Sequence, residues 1–371
     1  MKKLLFIFGT RPEAIKMAPL ILEARRQANW CEVKICVTAQ HRQMLDQVLQ
    51  FFELTPDYDL QLMKPDQTLF DITANGLLGL APVLENYQPD VVLVQGDTTT
   101  AFIGALAAFY RKIKVAHIEA GLRSHNKLSP YPEEVNRKLA GVITDFHFAP
   151  TDTARGNLLK ENIQQDIFVV GNSVIDALLL ALKKVKEHDD LYRKYFNFLL
   201  PGKNIILVTG HRRESFGQPF EQICYALKQI AADFPDCQIV YPVHLNPNVK
   251  EPVNRILQNQ DRVFLIEPLD YPYLVWLLSQ SYLVLTDSGG IQEEAPALGK
   301  PVLVMRNVTE RTEGIAAGTA RLVGTSKDDI INNVAELLRD EATYKQMANA
   351  INPYGNGTTA TSVIQQLKQL L

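Results

Sequence analysis

Cysteine is scarce in this chain. Four thiols, Cys31, Cys36, Cys224 and Cys237, are scattered over 371 residues. They form no CxxC pair and no zinc spacing, which argues against a disulfide framework and leaves four small buried thiols as the expectation. Long apolar runs are missing as well. No stretch approaches the roughly 20 apolar residues that a membrane helix needs. Two lysines precede an apolar N-terminal run, but that run covers only Leu4–Phe8, is stopped by Gly9-Thr10-Arg11-Pro12 and has no small-residue cleavage site after it. It reads as a first buried strand, and the protein is expected in the cytoplasm. Net charge is nearly absent too. At −3, the chain has no global field to draw it to nucleic acid or to an anionic membrane, and none of either is expected as a partner. An anionic ligand would have to be met by local positive charge. Low-complexity segments and short internal repeats are also lacking.

What is present is ordinary globular material, 46% hydrophobic and 21% charged, in a length that suits two domains better than one core. Short β-branched runs alternate with longer helical patterns. In the first half the strand candidates are Leu4–Phe8, Val33–Thr38, Val91–Gln95, Val115–Glu119, Phe146–Ala149 and Ile167–Val170. Helical patterns cover Ala14–Gln27, His41–Phe51, Leu69–Tyr87, Thr100–Arg111 and Glu133–Gly141 between them. The pattern restarts after Gly171-Asn172-Ser173 with one long helical stretch and then Ile205–Thr209, Gln238–Tyr241, Val263–Ile266, Leu283–Thr286, Val302–Met305 and Arg321–Val323. Near-continuous apolar strands separated by helices predict an α/β protein of two doubly wound, Rossmann-like domains. The expected division is 1–171 and 172–357, with a final helix, 358–371, crossing back onto the first domain.

Ligands of open parallel sheets bind at the carboxyl ends of the strands, so polar clusters at those ends deserve the closest reading. Gly9-Thr10-Arg11-Pro12-Glu13-Ala14-Ile15-Lys16 follows the first strand; it reads either as an anion-binding helix N-terminus flanked by Arg11 and Lys16 or as a plain cap with surface bases. Asp97, in Gly96-Asp97-Thr98-Thr99-Thr100, is a catalytic candidate or an N-cap. Glu119, ending an apolar strand in His117-Ile-Glu-Ala-Gly-Leu-Arg123, is a candidate acid or base or a structural partner of Arg123. Glu133 and Glu134 open a helix, as acids favour, yet that does not explain why Asn136 and Arg137 follow one turn later. In the second half, Gly210-His211-Arg212-Arg213 is a dense positive turn, and His244 is similarly placed but weaker. The sharpest signal is Thr286-Asp-Ser288-Gly289-Gly290-Ile-Gln-Glu293-Glu294. It is a strand–turn–helix phosphate cradle without a Walker lysine, with Glu294 within reach of a ribose diol and Arg306 and Arg311 after the next strand.

Taken together, FGTRPEAIKMAPL, QGDTTT, HIEAGLRS, YPEEVNRK, VTGHRRESFG, YPVHLNPNV, TDSGGIQEEAPALGKPVLVMR and NPYGNG resemble the bacterial non-hydrolysing UDP-N-acetylglucosamine 2-epimerases over residues 6 to 357. The resemblance implies a glycosyltransferase-B-like fold whose two domains face a cleft, and an isomerase that interconverts UDP-GlcNAc and UDP-ManNAc without metal or nicotinamide. It implies elimination of UDP to a 2-acetamidoglucal and re-addition with the opposite C2 configuration. It further implies a homodimer and a product used for cell-envelope polysaccharide. By similarity, Asp97, Glu119, Glu133 and His211 are the catalytic set. Arg11, Lys16, Arg137, Ser288, Gly289, Gly290 and Arg311 hold the nucleotide and its diphosphate, with His244 also binding substrate and Glu294 taking the ribose.

Two departures stand out. Tyr271-Pro272-Tyr273-Leu274 replaces a family Tyr-Leu-Pro-Phe, so uracil packing is expected from aliphatic Leu269 and Leu274 or from Tyr273. Gln40, His41, Gln43 and Gln47 resemble part of a second, allosteric UDP-GlcNAc pocket, but Asp66 stands where some members carry Arg. A hydrolysing epimerase that releases UDP and free ManNAc, and a glycosyltransferase of the same fold, are the alternatives. The sequence separates the first of them least well.

Overall fold

The computed structural model describes residues 1–38, 42–63 and 67–371, the side chains of 42 and 43 excepted. The chain forms two compact units, Met1–Leu180 with Tyr354–Leu371, and Ala181–Pro353. Among the described residues each unit is built on one parallel sheet.

In the first unit the strands are β1 (Lys2–Phe8), β2 (Cys31–Val37), β3 (Tyr58–Asp59), β4 (Val91–Gln95), β5 (Lys114–Ile118), β6 (Phe146–Ala149) and β7 (Ile167–Val169). Their spatial order is β3-β2-β1-β4-β5-β6-β7, with every neighbouring pair parallel. The second unit carries β8 (Asn204–Thr209), β9 (Cys237–Pro242), β10 (Val263–Ile266), β11 (Leu283–Thr286), β12 (Val302–Val304) and β13 (Ala320–Leu322). Their order is β10-β9-β8-β11-β12-β13, again all parallel. Both sheets therefore wind outward in two directions from a central pair, β1/β4 and β8/β11. This is the Rossmann-like order, and it leaves a crevice at the carboxyl ends of each central pair.

Central strands carry apolar side chains on both faces because helices cover both faces. In the first unit Leu5, Ile7, Val92 and Val94 are fully buried against Leu80, Leu84 and Ile103 of the helices Leu69–Tyr87 and Thr99–Tyr110. In the second, Ile206, Val208, Ile239 and Leu285 pack on Leu227, Val253 and Val334. Each such side chain contributes about 1.5–3 kcal/mol. All four cysteines are buried and free, and burial pushes the Cys36 and Cys224 thiols up to about 12, which makes them inert packing. Among the described residues no helix is long and apolar enough to cross a membrane.

Three local differences from the sequence expectation have physical causes. The strand expected to reach Glu119 stops at Ile118, because Glu119 takes φ +66, outside the strand region. The long helical stretch after Asn172 is broken at His188 into Ser173–Glu187 and Asp189–Tyr195. The two units meet in sequence within the first of these helices rather than at 171, because its opening turns belong to the first core, with Ile175 and Leu178 fully buried.

The helix Thr359–Leu370 also belongs to the first unit and buries Val363, Ile364 and Leu367. It packs on the helix Arg11–Arg26. Its first turn has no side-chain cap of its own; Asp176 accepts instead from the N–H groups of Thr359 (3.3 Å) and Ala360 (2.9 Å). Asp176→Ala should therefore destabilise the first unit by about 1–3 kcal/mol, the cost of buried donors left without an acceptor. Hydrogen exchange should quicken at the Thr359 and Ala360 amides and stay unchanged in the strands β8–β11.

Candidate active site

The turns after β1 and β4 form the crevice of the first sheet. Gly9 has no positive φ; glycine is needed there because a Cβ would collide with the Thr38 and Thr100 hydroxyls. Thr10 then caps the helix Arg11–Arg26 in a capping box with Glu13. The Glu13 carboxylate is buried and does more than cap. It accepts from the N–H of Gly9 (3.0 Å) and Thr10 (2.8 Å), and from the Thr98 hydroxyl (2.6 Å) beyond β4. Burial raises its pKa, and the hydrogen bonds oppose that rise. Glu13 thus ties the two turns together.

Glu119 sits at the end of β5 with its carboxylate almost wholly buried. Its partner is not Arg123, which instead holds Glu161 at 2.6 and 2.9 Å. Lys16 reaches both Glu119 oxygens at 2.6 and 2.8 Å, Asn172 Nδ2 donates to Oε1 at 2.9 Å, and Gln95 Nε2 donates to Oε2. A left-handed non-glycine backbone costs about 1–2 kcal/mol. Here it turns the carboxylate into a cage of donors drawn from the helix Arg11–Arg26, β4 and the segment after β7.

Asp97 is not the cap of the next helix. Thr98 fills that role, accepting from Ala101 N at 3.0 Å. The Asp97 carboxylate pairs with Arg137, and its carbonyl accepts from Asn136 Nδ2 at 3.0 Å. This answers why Asn136 and Arg137 stand one turn into the helix Glu133–Ile143: both reach back to the β4 turn. Glu134, fully buried, accepts from Ser124 N (2.9 Å), His125 N (3.1 Å) and Arg137 (3.2 Å), so its role is to hold the loop and the arginine. Glu133 is different. Its Oε2 is buried and takes no hydrogen bond among the described residues. Arg11 is half-buried and makes no ion pair among the described residues.

In the second unit the crevice lies after β8 and β11. Asp287 is buried; its Oδ2 accepts from the backbone N–H of His211 (2.7 Å) and Arg212 (2.8 Å), and its Oδ1 lies 3.5 Å from His211 Nδ1. The His211 ring stacks on His244 with centroids 5.2 Å apart and planes 12° from parallel. Burial pulls the His211 pKa down, against the pull of Asp287 upward. Asn246 N donates to His244 Nδ1 at 3.1 Å, which fixes that ring.

Ser288 precedes the helix Gly289–Ala297 without a side-chain cap bond, leaving first-turn N–H groups facing the crevice. A Cβ at Gly289 would press within 3.3 Å of Glu310 Oε1. Arg311 Nε donates to Glu293 Oε1 at 2.6 Å, and Arg306 bridges Glu214 (2.6 Å) and Glu310 (2.9 Å). Burial acts upward on Glu310, but Arg311, Arg306 and Arg212 outweigh it and hold it below the usual carboxylate value. Glu294 is buried and accepts from the Tyr271 hydroxyl at 3.2 Å. Leu269 is buried and Leu274 half-buried beside Tyr271, whereas Tyr273 packs into an aromatic group with Tyr192 and Tyr195. The aliphatic pair is thus the freer of the two expected uracil contacts. Gln40, His41, the Gln43 side chain and Asp66 lie outside the described residues; Gln47 is exposed on the helix Arg42–Phe51.

Glu13, Gln95, Asn172, Asp287 and Glu293 escaped the sequence reading as functional positions. Gln95 ends β4 beside Gly96, and Asn172 follows Gly171 just before a helix start, a signal that was available.

Beneath the site, His117 and His147 are register partners on β5 and β6, and both are buried. His117 Nε2 donates to the Gly96 carbonyl at 2.7 Å, so it carries the proton, and this bond braces the turn that presents Asp97. Burial lowers both histidines to about 4 from 6.5. The unfolded chain takes up protons near pH 6.5 that the folded chain refuses until about pH 4. The stabilising contribution is therefore complete above that window and is lost as pH falls through it, at up to about 1.4 kcal/mol per pH unit for each ring. Urea unfolding should show this slope, and His147→Phe should roughly halve it.

A model of the family described as UDP-N-acetylglucosamine 2-epimerase matches residues 23–368. The UDP-N-acetylglucosamine 2-epimerase of Escherichia coli K12 is 56% identical over 99% of this chain and 98% of its own. That of Salmonella typhimurium is 57% identical over the same shares. Among solved structures, the Neisseria meningitidis UDP-GlcNAc 2-epimerase bound to UDP-GlcNAc superposes with a TM-score of 0.91 at 49% identity, over 99% of this chain and 100% of that one. The Methanocaldococcus jannaschii enzyme in complex with UDP-GlcNAc and UDP gives 0.81 at 35% identity, over 99% of each chain.

Proposed function

The chain belongs to the UDP-N-acetylglucosamine 2-epimerase family and is an isomerase of glycosyltransferase-B-like fold, and from that premise we propose that it inverts C2 of UDP-N-acetylglucosamine by eliminating UDP and adding it back. The observation that carries the reading is the Glu119 cage: a buried carboxylate at a strand end, gripped by three side-chain donors, beside a second carboxylate, Asp97, held by Arg137.

The C2 proton is weakly acidic, so its removal needs a carboxylate fixed within hydrogen-bond reach. Asp97, Glu119 and Glu133 supply the acids. Breaking the C1–O bond develops positive charge on the sugar, which the same carboxylates stabilise. The electron pair leaves with UDP; the groups suited to its diphosphate are, in the second unit, the first turn of the helix Gly289–Ala297, Ser288, Arg311 and His211, and, in the first unit, Arg11. Lys16, paired with Glu119, serves both as its counter-ion and as a donor to the departing phosphate. Glu294 takes the ribose diol, and Leu269 and Leu274 pack on the uracil. Re-addition of UDP to C1, with protonation of C2 on the opposite face, gives UDP-N-acetylmannosamine. The same reading makes the protein a cytoplasmic homodimer that supplies a precursor for envelope polysaccharide.

Incubation with UDP-GlcNAc in D2O, followed by NMR, should show deuterium at C2 and accumulation of UDP-ManNAc. Folded protein that returns unlabelled substrate and no product would sink the proposal, and free ManNAc with stoichiometric UDP would favour hydrolysis instead. Asp97→Asn and Glu119→Gln should each lower turnover by about 10²–10⁴-fold, the range of general acid–base contributions. UDP affinity should change little; equal loss of affinity and turnover would make these carboxylates structural.

A further inference from the structure

Glu119 has two amide partners besides its lysine, and they differ from it in kind. Lys16 ends a long, flexible chain. Gln95 and Asn172 are short or strand-borne, buried, and set by the fold. Gln95 is the last residue of β4, adjacent to β5, and its Nε2 donates to Glu119 Oε2. Asn172 is fixed on three sides: its N–H donates to the Tyr354 carbonyl (2.7 Å), its Oδ1 accepts from Val174 N (3.1 Å), and its Nδ2 donates to Glu119 Oε1 (2.9 Å). The bond to Val174 leaves no choice in the amide orientation. Oxygen faces the helix start, so nitrogen faces the carboxylate. The bond to Tyr354 joins this corner to the segment by which the chain re-enters the first unit, inside the NPYGNG stretch that the catalytic reading leaves unused.

We propose that Asn172 and Gln95 are positioning residues for Glu119: a pair of fixed amide donors, one to each carboxylate oxygen, that keep it held and aimed while Lys16 turns to the diphosphate. The inference rests on the epimerase reading and deepens it. A carboxylate shared among three donors can give one up and remain held. A carboxylate gripped by Lys16 alone would lose its counter-ion and its orientation in the same step. Among the charged and titratable groups near this corner are Lys16 on the helix after β1, Asp97 after β4, and His117 and Arg123 on or just beyond β5. None of the last three reproduces the two amide bonds.

Asn172→Asp separates positioning from mere structure. The oxygen that accepts from Val174 is retained, so the helix start keeps its cap. The donor to Glu119 becomes an acceptor, and two carboxylates then face each other where an amide and a carboxylate did. The expected result is a fall in kcat of at least ~10-fold with KM for UDP-GlcNAc within about 3-fold, and an acid limb of the pH–rate profile moved upward by about one unit. Gln95→Met, which keeps the volume and removes the donor, should lower kcat in the same way and leave the unfolding midpoint near that of the wild type, so the test survives if the first variant does not fold. Folded variants with wild-type kcat and an unmoved acid limb would overturn the proposal, as would a loss confined to KM. Wild-type protein that fails to exchange deuterium at C2 would remove the epimerase reading itself, an outcome separable from failure of the variants alone.

Discussion

A parallel sheet covered by helices on both faces has little room for a charged side chain away from its strand ends. In β4 every residue is buried, and the first acid comes only after Gly96 turns the chain out of the sheet. β11 behaves alike, running buried through Thr286 before Asp287. The same burial that drives folding thus concentrates carboxylates, amides and cations at one edge of each sheet. A charge buried there needs a partner to offset its desolvation. The arrangement of the candidate site follows from that constraint before any ligand is considered.

The two units answer the constraint with one device. In each, a buried carboxylate collects the backbone N–H groups of the turn that follows the central strand. Glu13 does so for Gly9 and Thr10 from within the next helix. Asp287 does so for His211 and Arg212 from the neighbouring strand end. The choice has consequences. Glu13 spends its remaining oxygen on Thr98, locking β1 to β4. Asp287 leaves one oxygen near His211 Nδ1 and so tunes an imidazole that stays half exposed. One acid stiffens a scaffold, while its counterpart conditions a titratable group.

The sheets were legible because β-branched runs and periodic helices are local signals. β3 was not, since two residues carry no pattern. Candidate acids were legible from their place at strand ends, but their partners were not. Gln95 and Asn172 lie 24 and 53 residues from Glu119, and only strand order brings them together. Arg123 is close to Glu119 in sequence, yet the left-handed turn at Glu119 sends the two side chains to different partners. Sequence proximity misleads where the backbone leaves the strand region, and Glu119 is such a place. Likewise Glu293 and Glu294 are adjacent but serve apart, one holding Arg311 and the other accepting from Tyr271.

The cations at the strand ends of each unit share a further property. Lys16, Arg137, Arg306 and Arg311 are each in an ion pair, mostly with a carboxylate on another element. Burying such pairs gains little net stability, because desolvation offsets most of the Coulomb attraction. What it gains is geometry: each cation is already desolvated and oriented, so the reorganisation that stabilising a departing anion would demand in water has been met during folding. In the proposed reaction a diphosphate would compete with carboxylates for such cations rather than meet free charge. Drawing Lys16 away from Glu119 would change the field at that carboxylate. The fixed amides of Gln95 and Asn172 would then set how far the change disturbs its position.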